Sequence, residues 1–143
     1  MDDVDRADGA LRRRLVAVVV VPVVVLVGLT SRAVSSGPSG SALGDILYAT
    51  LVYVLVVLVV PRVRPAAVAV VALVLCWFVE LAQLTGGPAA LAEAWWPLRY
   101  LLGTSFVWTD LVLYALGVLL GLAADVSART TAVRRHRGDA PAG

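Results

Sequence analysis

Residues 66–84 read A-A-V-A-V-V-A-L-V-L-C-W-F-V-E-L-A-Q-L, an apolar run interrupted near its end by Glu80 and Gln83. Wound as a helix, nineteen residues rise about 28 Å, close to the roughly 30 Å hydrocarbon core of a bilayer. A carboxylate inserted there costs roughly 2.5 to 3.5 kcal/mol, so such an acid needs a partner and is a candidate for a role beyond packing. Glu80 and Gln83 stand one helical turn apart and share a face. Glu80 also falls near a helix C-terminus, where the helix dipole repels a negative charge. Pairing with an arginine, protonation or a bound ligand would each relieve it.

Three further apolar runs accompany this one. The spans are expected at about 15–31, 43–60, 66–84 and 105–124, giving an all-α integral membrane bundle of four transmembrane helices. The first run is dominated by valine and contains Pro22; it reads as a retained helix rather than a cleaved signal core, because Arg32 stands where cleavage wants small neutral residues. β-Branched residues are no obstacle, since lipid leaves the backbone only itself as hydrogen-bond partner. Residues 31–42 read as a loop, and P-R-V-R-P at 61–65 as a tight connection between antiparallel helices. The third connection holds A-E-A-W-W-P-L-R-Y at 92–100, whose aromatic residues fit a membrane-surface belt, so a short interfacial helix is expected at about 88–102. Residues 1–14 and 125–143 read as polar tails, the latter basic and disordered.

Composition agrees with the membrane class. The 143 residues are 60% hydrophobic and 15% charged, with a mean hydropathy of +0.90. The net charge is +2, and all twelve basic residues are arginine. They flank apolar runs rather than forming one solvated face, which excludes a nucleic-acid footprint. Ten of them fall on one side of the four-span topology and only Arg32 and Arg99 on the other, so the positive-inside rule puts both termini in the cytoplasm of a multi-pass cell-membrane protein. The single Cys76 reads as a core filler; no intrachain disulfide or cysteine-based metal motif can be built, and neither a metal nor a cofactor is expected.

Topology then fixes the depth of the polar groups. Arg32, Asp45, Glu80, Gln83, Arg99 and Asp110 all fall toward the outer surface, and the cytoplasmic halves of the spans contain almost nothing polar. Asp110, Tyr114, Gly117 and Gly121 follow one helical stripe, and Asp45 with Tyr48 makes a shorter one. Gly117 and Gly121 form a small-xxx-small pattern that lets another helix approach, within the chain or in a homo-oligomer. Asp45 and Asp110 lie early in helices entering from outside, where helix-start chemistry alone would welcome an acid.

The pattern G-L-T-S-R, G-D-I-L-Y-A, V-E-L-A-Q and L-L-G-T-S-F-V-W-T-D-L-V-L-Y-A-L-G resembles a family of small bacterial membrane proteins known as a domain of unknown function, over about residues 28–121. The E-x-x-Q on one helix and the Asp followed by Gly on the next are similar, more remotely, to the VanZ-like family, whose founding member is linked to low-level teicoplanin resistance. The remoter resemblance implies that Glu80, Gln83, Arg99, Asp110 and Gly117 fall on family motifs; the closer one implies the same for Arg32, Asp45 and Tyr48.

The leading functional reading is a non-enzymatic protein of the bacterial cell envelope. Its outer polar cluster of Arg32, Asp45, Tyr48, Glu80, Gln83, Arg99, Asp110 and Tyr114 would lock the bundle or bind a ligand. The expected partners are the lipid bilayer and a lipid-linked or small polar ligand. A membrane-embedded enzyme acting on a lipid head group or envelope precursor is the first alternative, with catalytic residues unassigned because no nucleophile–base motif stands out. A small transporter or channel component is the second, weakened by the absence of an evident internal repeat.

Overall fold

In a computed structural model the chain is described at residues 2–34, 38–85, 90, 93–94 and 107–138, with side chains placed for 7–31, 42–85, 90, 93–94 and 107–131. Four helices run through the described residues: α1 (Asp2–Val34), α2 (Pro38–Val59), α3 (Pro65–Gln83) and α4 (Trp108–Gly138). Each contains a segment long and apolar enough to cross a membrane, as expected of a multi-pass protein. The expected interfacial helix at 88–102, and Arg99 with it, falls outside the described residues save for positions 90, 93 and 94.

The helix ends differ from those read in the sequence. Helix α1 begins at Asp2 and continues to Val34, and α2 begins at Pro38, so the expected loop at 31–42 is mostly helical. Helix α4 starts at Trp108 and runs on to Gly138, through much of the stretch expected to be a disordered tail. The physical reason lies in how polar side chains satisfy themselves inside a helix. Thr30 donates to the carbonyls of Leu26 and Val27, and Ser31 to that of Gly28. Thr130 and Thr131 likewise donate to the carbonyl of Ser127. Hydroxyls that signal a loop by composition here return their protons to the preceding turn. At the sharper boundaries proline does the work expected of it: Pro65 opens α3 behind an extended Arg64, where its missing N–H costs nothing.

The four helices alternate in direction, and α2 is the central one, packed against the other three, while α3 also packs on α4. The core is a continuous seam. Ala49, Tyr53 and Val57 of α2 meet Val68, Ala69, Ala72 and Cys76 of α3, and Tyr114 and Val118 of α4. The spacing within each helix is close to one or two turns, which keeps those residues on one stripe. Helix α1 lies against α2 through Ala17 and a stripe that includes Gly28, whose Cα faces Leu47. Its outward valines and leucines, Val18, Val19, Val23 and Leu26 among them, are more than half exposed. Such a surface is matched to lipid, not to water.

Glycine lets α4 come close to α2. A Cβ on Gly117 would stand 2.2 Å from the Ile46 carbonyl oxygen and 2.8 Å from the Ala49 Cβ, and one on Gly121 would stand 2.8 Å from the Tyr53 ring. The small-xxx-small pattern is therefore used within the chain, to seat α4 on α2. Thr50 secures the contact: its hydroxyl lies 2.9 Å from the Gly117 carbonyl and 2.9 Å from that of Ile46.

Candidate functional site: two polar layers in an apolar bundle

At the end of the bundle where α3 finishes and α4 begins, Glu80 is 1% exposed. Its position follows from the alternating helices. The C-terminus of α3, unfavourable for an anion, lies beside the N-terminus of α4, which is favourable. Glu80 reaches across: its Oε1 accepts the backbone N–H of Val107, just ahead of α4, at 2.9 Å, and its Oε2 accepts the Tyr114 hydroxyl at 2.9 Å. Gln83 adds a longer contact through Nε2 at 3.4 Å. The conflict with its own helix dipole is answered by the start of the neighbouring helix. Arg32 and Arg99 fall outside the residues whose side chains are described.

The rest of the layer surrounds Tyr114. The Tyr48 ring lies 5.8 Å from the Tyr114 ring, tilted by 55°, within the favourable range for an aromatic pair. Asp45 and Asp110 also lie near Tyr114. Asp45 and Asp110 are both half-buried. Asp110 lies in the first turn of α4, so helix-start chemistry accounts for its location. Asp45 does not: α2 begins seven residues earlier, at Pro38, which places Asp45 in the helix interior. The structure thus gathers Asp45, Tyr48, Glu80, Gln83, Asp110 and Tyr114 at one end of the bundle. Trp77 closes the flank on α4 by donating its indole N–H to the Leu111 carbonyl at 3.1 Å.

The opposite end, expected from the sequence to be almost wholly apolar, holds a second polar layer. Asp125 of α4 and Arg13 of α1 form a two-pronged ion pair, Arg13 Nε donating to Oδ1 at 3.0 Å and Nη2 to Oδ2. The side chains are only 8% and 10% exposed. Tyr53 donates to Asp125 Oδ2 at 2.8 Å, and Arg129, one turn along α4, lies 3.4 Å from Oδ1. The remaining Arg13 nitrogen, Nη1, donates to the carbonyls of Pro61 and Val63, each at 2.8 Å. One guanidinium thereby joins α1, the α2–α3 turn and α4, a task suited to arginine's planar fork of donors. A signal for Asp125 exists in the sequence: it stands one turn past Gly121 and extends the Tyr114, Gly117, Gly121 stripe.

Asp110 and Asp125 are fifteen residues apart on α4, about 22 Å along the axis. The two layers therefore bracket an apolar middle shorter than a bilayer core. Among the described residues no group of three or more His, Cys, Asp and Glu side chains is arranged to hold a metal ion. What the layer around Glu80 can do is bind by hydrogen bond and charge, and hold two helix ends together.

Comparison with curated proteins and with solved structures finds no match. A family model described as "Protein of unknown function (DUF2809)" matches residues 36–118. That match takes in α2, α3, the connection after α3 and the first turns of α4, including Asp45, Tyr48, Glu80, Gln83, Asp110, Tyr114 and Gly117. The chain belongs to the DUF2809 family of proteins of unknown function.

Proposed function

We propose that the chain is a multi-pass protein of the bacterial cell membrane with both termini in the cytoplasm, in which the layer around Glu80 locks the outer end of the bundle. The observation that carries this reading is the buried Glu80 carboxylate with both oxygens engaged, one by Val107 and one by Tyr114. Those bonds bring the residues on either side of the third connection together. Asp45 and Asp110, half-buried beside Tyr114, are the groups that a small polar or lipid-linked ligand arriving from the outer side would meet. The E-x-x-Q and Asp-to-Gly resemblance to VanZ-like proteins falls on this layer and supports a role in the cell envelope.

Two features weigh against the alternatives. A carboxylate engaged on both oxygens by the fold is poorly placed to exchange protons with a substrate, which favours a structural role for Glu80 over acid/base chemistry. The buried seam of Val68, Ala69, Ala72 and Cys76 fills the bundle with apolar atoms, which favours a scaffold over a channel component.

The test pairs abundance with topology. Glu80→Ala should lower the amount of folded protein in the membrane, whereas Asp45→Asn should leave it intact. Reporter fusions after Thr85 and at the C-terminus should give opposite sides. Full abundance and thermal stability of Glu80→Ala would refute the lock, and reporters on the same side would refute the topology.

A further inference from the structure

A cleft of about 450 Å³ opens at the end of the bundle that carries Arg13 and Asp125. One wall is the Ala7, Ala10, Leu11 and Arg14 stripe of α1, and the other is the end of α2 with its turn, Val59 to Val63, including Arg62. Two alanines facing a tight turn leave the space. Arg13, the neighbour of Arg14, holds the far side of that turn through the Pro61 and Val63 carbonyls, so the wall is fixed.

The chemistry of the cleft is divided. Alanine, leucine, valine and proline make an apolar floor, and Arg14 and Arg62 supply charge. Both arginines are exposed, and neither is in an ion pair among the described residues, in contrast to Arg13 and Arg129, which share Asp125. Among residues with described side chains, this end carries Arg12, Arg13, Arg14, Arg62, Arg64 and Arg129 against Asp8 and Asp125. Asp8 does not line the cleft. The level is that of a membrane surface: the apolar run of α1 begins at Leu15, directly after Arg14, and that of α2 ends at Val59. Two guanidinium groups on the walls of a cleft at that depth suit the anionic phosphate of a lipid head group, whose acyl chains continue past Leu15 and Val59 along the apolar runs.

We propose that this cleft binds the head group of an anionic phospholipid, with Arg14 and Arg62 on the phosphate and Val59, on the membrane side, next to the glycerol and upper acyl chains. The proposal rests on the placement of the four helices across a bilayer, with this end at a leaflet surface; it does not depend on the role of Glu80.

Full-length protein in mixed micelles of phosphatidylglycerol and phosphatidylcholine, examined by native mass spectrometry, provides the test. Wild type should retain phosphatidylglycerol in preference to phosphatidylcholine. The Arg14→Gln/Arg62→Gln variant should hold it roughly tenfold more weakly, since each arginine near a charged head group contributes substantially to binding. An Arg12→Gln/Arg64→Gln variant removes the same charge outside the cleft and should stay within about twofold of wild type. Equal losses in both variants, or no lipid preference in the wild type, would overturn the site. Thermal unfolding of each variant separates lost binding from lost fold. Resistance of the wild type to alkaline extraction from membranes tests the bilayer placement separately, and its release into the soluble fraction would defeat that placement itself.

Discussion

Tyr53 donates a 2.8 Å hydrogen bond to Asp125, one turn past the glycine that its ring covers. That bond links the glycine seam between α2 and α4 to the ion pair with α1. Asp125 is the point at which three of the four helices and one turn are joined. Asp125→Ala would leave Arg13 nearly buried without its counter-charge, a change that destabilises by about 3 kcal/mol. Unfolding of the purified protein in detergent should show that loss, and Arg13→Lys should show a large part of it, because an ammonium cannot span the carboxylate and two carbonyls at once. Wild-type stability in Asp125→Ala would remove the network from the account of the fold.

The glycines should differ sharply from one another. Gly117→Ala drives a methyl group into the Ile46 backbone carbonyl, which cannot rotate away, so α2 and α4 must part at a cost of about 2 to 3 kcal/mol. Gly121→Ala meets the Tyr53 ring, which can shift, and should cost less while weakening the bond to Asp125. A methyl at Gly28 has only Leu47 at 3.9 Å, and one at Gly9 has no neighbour within 4 Å, so those alanines should be neutral or stabilise by up to about 1 kcal/mol. A thermal-shift series across the four variants checks the order. If Gly117→Ala and Gly9→Ala behave alike, the seam is wrongly placed.

Cys76 is fully buried in the seam between the polar layers. In the folded protein it should resist membrane-impermeant maleimides applied from either side, and it should react only after denaturation. Rapid labelling of native protein would mean that water reaches the middle of the bundle, and would revive the channel reading.

Much of the architecture is legible in the sequence because a bilayer imposes so few solutions on an apolar run. The four spans, the shared stripe on α4 and the gathering of Asp45, Glu80 and Asp110 at one end all follow from length, spacing and alternating direction. The helix ends are less legible: Ser31, Thr130 and Thr131 donate to carbonyls one turn back, and composition does not reveal whether a hydroxyl proton goes there or to water. The Arg13–Asp125 pair was hidden for another reason. Its partners are 112 positions apart, and each stands at a polarity boundary where an arginine reads as a topology marker and an aspartate as the start of a tail. Glu80 stands out in the sequence as needing relief, but one of its two donors is the Val107 backbone, and a main-chain N–H carries no residue-type signal at all.

Trp77 offers an independent check on the layer around Glu80. Its indole N–H donates to the Leu111 carbonyl, so Trp77→Phe should lower stability by about 1 kcal/mol, whereas Phe78→Leu on the exposed face should have little effect. Chemical unfolding of the two variants in the same detergent measures the difference. Equal stabilities would remove that bond from the account.

The central claim is that Glu80 joins α3 to the start of α4 by direct hydrogen bonds. A double-mutant cycle of Glu80→Ala with Tyr114→Phe, read as unfolding free energy in bicelles or detergent, tests it most directly. The two substitutions should be strongly non-additive, with a coupling of about 1 kcal/mol, in the range found for hydrogen bonds inside membrane proteins. Additive losses, with a coupling near zero, would contradict the claim.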